Sequence, residues 1–185
     1  MEAHHVKRRA LLVGAALGGL GFEARAGASP SAPLFVIARS KNANVIHYEA
    51  RLATSGALDR EQPIDAYWVM RAEDGRREGL TWLEERLAYG WSASFDARGE
   101  LLVRLRAFSE RAIRVSRAEN GSFGAVLRVA GHPALLERIY VASDGGSLTP
   151  SVRYVDLFGT TLGDRRRITE RILPAHPARS EPPRR

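Results

Sequence analysis

The sequence predicts a mainly β protein: a single antiparallel barrel-like (calycin-like) or sandwich domain of about eight to nine strands, with one helix at about residues 81–89. Short apolar or alternating segments recur between turn signals at a spacing typical of hairpins. Only one segment is patterned for a helix, so parallel strands would lack the crossover helices that they need. A barrel is favoured further because its closure protects the sheet edges.

The first 26 residues have the pattern of an export signal. Lys7–Arg9 form a positive region, residues 10–22 an apolar stretch, and Ala24-Arg25-Ala26 a small-x-small cleavage site. The stretch is shorter than the roughly 20 residues of a membrane span, which disfavours an uncleaved anchor. Adjacent arginines resemble part of a twin-arginine signal, so the Sec and twin-arginine routes both stay open. We expect a periplasmic or extracellular protein.

The composition places the domain boundaries. Residues 27–33 are small residues and proline, suited to a disordered spacer, residues 34–173 carry the β pattern, and residues 174–185 are a Pro/Arg-rich tail expected to be disordered. The signal and the tail each carry a net charge of +2, so the body keeps +3 of the total +7. Its arginines mostly alternate with apolar residues, as on a solvated strand face.

This charge distribution disfavours nucleic acid as a partner and leaves anionic envelope polymers as a stronger alternative. The sequence contains no cysteine, so the fold does not depend on disulfides, and thiolate zinc sites and cysteine nucleophiles are excluded. No transmembrane segment is expected after signal cleavage. The sequence does not indicate which protein partners the domain has.

The N-terminal half of the body begins with three predicted strands. Leu34–Ala38 and Val45–Leu52 flank a polar turn and are expected to pair as a hairpin. Ile64–Met70 is largely apolar on both faces, which is typical of a strand inside the fold.

The predicted helix covers Trp82–Ala88. Thr81 followed three residues later by Glu84 has the form of a capping box. Leu83 and Leu87 continue a spacing of three and four from Leu80, so we expect this stripe to pack against the preceding strand. Gly90 is expected to end the helix.

Hairpins dominate the prediction for the C-terminal half. Trp91–Phe95 and Glu100–Phe108 flank a turn at residues 96–99, and Asn120-Gly121 predicts a type I′ turn. That turn would place Ala118 opposite Phe123 and Val115 opposite Val126. The remaining predicted strands are Leu135–Val141, Ser151–Phe158 and Arg166–Ile172; the last also fits a helical spacing, but the short Gly163-Asp164 turn favours a strand.

Four segments resemble a bacterial family of secreted proteins, domain of unknown function 4833. They are residues 34–44 (LFVIARSKNAN), 63–70 (PIDAYWVM), 87–90 (LAYG) and 154–159 (YVDLFG). The likeness covers nearly all of residues 34–173. It implies an exported bacterial single domain and assigns no activity or catalytic residue.

Common catalytic and metal-binding patterns are missing from the sequence. No two histidines have ligand spacing on a strand or helix, so no metal site and no cofactor is predicted. Neither a G-x-S-x-G elbow nor an S-x-x-K motif is present. No catalytic residue is therefore predicted, and an enzyme is the less favoured class.

The predicted binding site consists of Arg39, Tyr67, Tyr89 and Asp156, at the mouth of the barrel. Arg39 would pair with an anionic group of a small amphipathic or polar ligand, the tyrosines would contact its body, and Asp156 would hold Arg39 in place. This hypothesis predicts a largely apolar cavity of roughly 300 Å³ or more beside Arg39 and Tyr67.

Three alternatives stay open at this point. Ordinary core and rim packing is also expected for Tyr67, Trp68, Tyr89 and Trp91, with a structural ion pair between Arg39 and either Asp156 or Asp65. An envelope hydrolase would need two carboxylates such as Asp65 and Asp156 roughly 5 to 9.5 Å apart. A structural or assembly protein would present a contiguous basic or apolar patch to an anionic polymer or a partner chain.

Overall fold

The computed structural model describes residues 31–118, 120–144 and 151–174. The predicted export signal at residues 1–26, most of the predicted spacer, and the tail from residue 175 onward lie outside the described residues. Export and the disorder of residues 27–30 and of the tail therefore stay predictions, whereas residues 31–33 of the predicted spacer begin the first strand.

The described chain forms eleven strands and one short helical segment. The strands are β1 (Ser31–Arg39), β2 (Asn42–Arg51), β3 (Ile64–Val69), β4 (Arg77–Gly79), β5 (Trp91–Phe95), β6 (Leu101–Leu105), β7 (Phe108–Arg117), β8 (Phe123–Val129), β9 (His132–Asp144), β10 (Ser151–Thr161) and β11 (Arg167–Ile172). Between β4 and β5, one α-helical turn, α1 (Trp82–Glu84), continues into a π-helical turn (Glu85–Tyr89). The predicted mainly β fold with one helix near residues 81–89 is confirmed.

The strands form a single curled sheet that makes a half-barrel. Its continuous path runs β4-β3-β2-β1-β9-β8-β7-β6-β5, and β10 pairs with the other edge of β9 and carries β11. Every pairing is antiparallel except that of β1 with β9, which is parallel over Val36–Arg39 and Arg138–Val141. The direction of β9 is set by its hairpin with β8, so β1 meets it in parallel.

Alternation along the strands builds the core, because successive side chains point to opposite faces. The largest fully buried side chains are Tyr48, Ile46, Leu101, Ile113, Leu136 and Leu157. Each such side chain contributes about 1.5–3 kcal/mol through removal from water. The core therefore consists of side chains from β1–β3, β6–β9 and β10 that pack on one another.

Two features of the strands are not revealed by alternation. The segment predicted as one strand, Glu100–Phe108, is broken by a turn at Arg106 and Ala107 and contributes to both β6 and β7. Strand β4 is three residues long and forms an edge by pairing with β3. Neither a two-residue break nor a three-residue strand produces a readable period.

The Asn120-Gly121 hairpin is present, but its predicted register is wrong. Arg117 pairs with Phe123 and Val115 with Ala125, one residue away from the expected pairing. Of the two turn residues only Gly121 has a positive φ, +82°, whereas a type I′ turn needs both. The turn is longer because the amide of Ala118 bonds to the Ser122 carbonyl.

The capping box at the helix start is confirmed, whereas the predicted burial of the leucine stripe is wrong. Thr81 and Glu84 exchange both hydrogen bonds of the box. However, Leu83 and Leu87 are 55% and 66% exposed, and Trp82 is 68% exposed. Among the described residues, no other element covers this face of the helical segment.

Hydrogen bonds to a carboxylate connect the last strand, β11, to β7 and to the β8–β9 turn. Arg111 of β7 donates two hydrogen bonds to the Glu170 carboxylate of β11, at 2.8 and 2.6 Å, and the Ala130 amide donates a third at 2.6 Å. The bonds from Arg111 lower the pKa of Glu170. Among the described strands β11 pairs only with β10, so these hydrogen bonds connect it to β7 and to the β8–β9 turn.

Candidate functional site

An arginine at the end of β1 forms the centre of the candidate site. The guanidinium carbon of Arg39 lies 4.3 Å from the ring centroid of Trp68 and 6.0 Å from that of Tyr89. Its Nη1 donates to the Tyr89 hydroxyl at 3.4 Å, and its Nε is buried without a hydrogen-bond partner. Among the described residues, no carboxylate forms an ion pair with it. The structure thus brings together two of the predicted site residues, Arg39 and Tyr89.

Tyr89 is fixed through both its ring and its backbone. Its ring meets Trp68 edge to face at 5.6 Å. The hydroxyl of Tyr48 donates to the Tyr89 carbonyl oxygen at 2.5 Å, and Tyr48 is only 1% exposed. Burial raises the pKa of Tyr48 well above its ordinary range, so this hydroxyl keeps its proton and remains a donor.

Trp68 is held in place by the residues of the helix cap. Its Nε1 donates to Glu84 Oε1 at 3.1 Å, while Glu84 Oε2 accepts from the Thr81 amide at 2.8 Å. In the sheet, Trp68 pairs with Ile46, which pairs with Ile37, so Trp68 lies on the same face as Arg39. The capping box therefore also orients the ring on which the guanidinium stacks.

These side chains border a groove of about 380 Å³. Its lining is largely polar: Arg39, Asn42, Asn44, Trp68, Met70, Glu73, Glu78, Gly79, Thr81 and Glu84. The carboxylates of Glu73 and Glu78 both pair with Arg76, at 2.8 and 2.7 Å. Because Glu84 is engaged as described above, each carboxylate of the groove already has a partner, and none of the described carboxylates forms an ion pair with Arg39. The groove has the predicted volume beside Arg39 but is polar rather than apolar.

Tyr67 does not belong to this groove, so the expectation that it joins Tyr89 around one ligand is wrong. It is the neighbour of Trp68 on β3 and therefore points to the opposite face of the sheet. Its hydroxyl donates to Glu49 Oε1 at 2.6 Å. Burial and this bond to Glu49 raise the pKa of Tyr67 to about 12.

The Tyr67 face contains its own buried polar network. Ser31 also donates to Glu49, at 2.6 Å. Burial alone would raise the pKa of Glu49, but the bonds from Ser31 and Tyr67 outweigh it and lower that pKa. The ring of His47 stacks on Tyr67 at 5.7 Å, with its Nε2 buried and without a partner. Burial, reinforced by the charge of Arg71, lowers the pKa of His47.

Asp156 also lies elsewhere, and the predicted ion pair between Asp156 and Arg39 is wrong. Both carboxylate oxygens of Asp156 accept hydrogen bonds from Arg171, at 2.7 and 2.8 Å. The bond from Arg171 lowers the pKa of Asp156. The guanidinium of Arg171 in turn lies 3.8 Å from the ring centroid of Tyr154. Asp156 therefore serves a bidentate structural pair between β10 and β11.

This arrangement does not support a carboxylate pair of Asp65 and Asp156. Asp65 is exposed on β3, opposite Glu49 of β2. Strands β2, β1 and β9 lie between β3 and β10 in the sheet. An acid and a base acting on one bond need to face each other across a cleft, and these two residues do not.

The predicted binding site did not include Trp68, Glu84 or Asn44, which are among the residues that line the groove. Alternation places Trp68 on the opposite face from Tyr67, but it does not show which of the two faces adjoins Arg39. The second role of Glu84 as acceptor for Trp68 had no sequence signal, because capping accounted for it. The side-chain oxygen of Asn44 accepts a hydrogen bond from the Ala72 amide at 2.8 Å, and the two residues are 28 positions apart in the sequence.

Comparison with known proteins places the chain by family alone. Across the described residues, no group of three or more metal-ligating side chains is arranged to hold an ion, and no helix there is long and apolar enough to span a membrane. No curated protein matches the chain. No solved structure matches it either. The model of the family described as domain of unknown function (DUF4833) matches residues 35–171, and the chain belongs to this family.

Proposed function

We propose that this domain is a noncatalytic binding protein of the cell envelope that takes a small polar ligand through an anionic group, a carboxylate or a phosphate. The proposal rests on the environment of the Arg39 guanidinium. Its guanidinium is stacked on Trp68, has no carboxylate partner among the described residues, and borders a groove of about 380 Å³. The envelope location rests on the predicted export signal.

The charge balance of the groove supports an anionic group on the ligand. A guanidinium offers a planar fork of donors that matches a carboxylate or phosphate in two parallel bonds. The neighbouring carboxylates, Glu73, Glu78 and Glu84, have partners of their own. Arg39 is therefore the group in the groove whose charge a ligand would neutralise.

The remaining lining supports a ligand with a polar body. Asn42, Asn44 and Thr81 supply amide and hydroxyl groups, and Met70 adds apolar contact beside the indole of Trp68. The volume falls within the range of small-molecule sites. A permanently charged guanidinium neither gives up a proton nor attacks a substrate, so the arrangement supports binding rather than catalysis.

The proposal is tested first by native mass spectrometry of the protein purified from its own envelope. We expect a bound mass in the wild type that is lost in Arg39→Gln. The matched control is Arg98→Gln, which removes an exposed arginine from the turn after β5 and should retain the mass.

A second measurement uses defined probes and follows tryptophan fluorescence, since Trp68 contacts Arg39 directly. N-acetylmuramic acid and N-acetylglucosamine share a sugar body, but only the former carries a carboxylate. We expect the acidic sugar to bind more tightly and Arg39→Gln to remove that preference, with a loss of about 10-fold or more for a charge-assisted hydrogen bond. Equal binding of both sugars to the wild type and to Arg39→Gln, with no bound mass in the native protein, would refute the proposal.

A further inference from the structure

A second groove lies on a different part of the sheet, on the face opposite the core. Pairing across β6, β7, β8, β9 and β10 aligns a row of non-core side chains: Leu102, Arg114, Val126, Leu135 and Thr160. Each of the five alternates with buried neighbours along its own strand. The row is therefore a continuous strip of the outer surface, apolar in three positions and basic in one.

Two turns rise on either side of this strip and enclose a volume of about 790 Å³. One is the β7–β8 turn, which contributes Ala118, Asn120 and Ser122, and the other is the β10–β11 turn, which contributes Leu162 and Arg165. The amide of Leu162 bonds to the Pro133 carbonyl at 3.1 Å, which fixes the second turn against β9. Arg39 lies beside Val141, near the other end of β9 from Leu135, and none of the residues that line the Arg39 groove lines this one.

The floor of the groove is apolar. Val126 and Leu135 are directly opposite each other in the β8–β9 pairing, and Leu162 also lines the space. Leu162 is 52% exposed, a large apolar surface left open to water. Gly124 leaves room for this floor, because a Cβ there would lie 2.5 Å from Leu135 Cδ1.

The rim of the groove is basic, and no acidic residue is among the described side chains that line it. Arg114 shares an exposed pair with Glu100 at 3.3 Å, and Arg117 Nε donates to the Gly121 carbonyl at 3.1 Å. Arg165 forms no ion pair within the described residues and is presented by a left-handed backbone, with φ of +56°. The neighbouring carboxylate, Asp164, is occupied by Thr161 and Arg166.

We infer that this groove binds an anionic amphiphile, a molecule with one apolar chain and a carboxylate or phosphate head. The chain would cover Val126, Leu135 and Leu162, and the head would meet Arg117 and Arg165 at the rim. An anionic polymer without an apolar part would leave the floor wet, and a neutral chain would leave the guanidinium groups unused. The combination of both surfaces in one concavity selects a ligand that has both parts.

The test is calorimetric titration of the full chain with dodecyl phosphate below its micelle concentration. Inorganic phosphate and dodecyl maltoside serve as the probes that carry only the anion or only the chain. We expect one molecule of dodecyl phosphate to bind per chain, at least 10-fold more tightly than either of the other two. We expect Arg117→Gln with Arg165→Gln to weaken it at least 10-fold, and Leu162→Gln to weaken it several-fold.

Controls separate this site from the Arg39 groove and from general basicity. The double variant Arg98→Gln and Arg153→Gln removes the same charge from exposed positions outside the groove and should leave dodecyl phosphate binding unchanged. Arg39→Gln should also leave it unchanged. Circular dichroism confirms that each variant is folded. The inference is overturned if dodecyl phosphate does not bind, if phosphate alone binds equally well, or if the control double variant loses as much affinity as the groove variant.

Discussion

Replacement of Gly90 by alanine is the sharpest test of how the helical segment is joined to the sheet. Gly90 has φ of −70° and ψ of 166°, a conformation that any residue adopts, so its glycine is required by space. A Cβ there would lie 2.7 Å from the Glu85 carbonyl carbon, closer still to its oxygen, and 3.0 Å from Arg106 Nε. The carbonyl of Glu85, the first residue of the π turn, therefore lies where the Cβ of a larger residue at position 90 would be.

The expected cost follows from that contact. Overpacking typically costs about 1–3 kcal/mol, and the upper end, about 3 kcal/mol, applies here because the nearest atoms are backbone and cannot rotate away. For a chain of this size each kcal/mol lowers Tm by about 2–4 °C, which gives a loss of about 6–12 °C. The measurement is urea unfolding followed by tryptophan fluorescence, with Tm by circular dichroism.

Gly79→Ala is the matched control, because an added Cβ there has no atom within 4 Å. It should change stability by no more than about 0.5 kcal/mol. If Gly90→Ala unfolds at the same urea concentration as Gly79→Ala, the close packing of the π turn against residue 90 does not exist in solution.

Three further predictions concern single polar groups. Tyr48→Phe removes the hydrogen bond to the Tyr89 carbonyl and should cost about 1–3 kcal/mol in urea unfolding; an unchanged midpoint would show that the carbonyl finds another donor. Glu170→Gln should cost about 1.5–3 kcal/mol at pH 7 by breaking the bonds from Arg111. Since the folded pKa of Glu170 is lowered, its stabilisation is complete above the ordinary carboxylate pKa and is lost as the pH falls from there through the lower folded pKa. Wild type and variant should therefore converge in acid; a constant difference down to about pH 3 would contradict this. The folded pKa of His47 is also lowered, so the wild type should lose stability as the pH falls below about 6.5, and His47→Gln should lose less; parallel curves for the two proteins would contradict it.

Local patterns predicted most of the strands correctly, because alternation and turn residues act over a few positions. The turn at residues 96–99 is present with Gly99 at φ of +77°, and the ambiguous segment at the end of the body is strand β11. The errors arose where a distant element decides. The stripe of Leu83 and Leu87 has the right period for burial, but no element of the described part of the chain covers it.

The sequence predicted only part of the candidate site. Arg39 and Tyr89 were identified as polar and aromatic residues at element ends, and they do meet. Tyr67 and Asp156 were grouped with them because the sequence shows which residues share a strand face but not which face of one strand adjoins which face of another. The pairing of Asp156 with Arg171 required the β10–β11 register, which no local pattern determines.

The parallel pairing of β1 with β9 has a consequence for how the chain acquires its structure. Val36 lies beside Arg138, 102 positions further along the polypeptide, so this contact closes a very long loop. Such distant pairings form late and slow the overall rate of folding. Until β9 arrives, the inner margin of β1 is a strand edge with unmet amide and carbonyl groups, the kind of edge on which foreign strands add. A newly made chain that stops before residue 138 would therefore expose an unpaired edge of β1, a strand at the centre of the final sheet. Such an edge is a site at which a chaperone could bind and prevent aggregation.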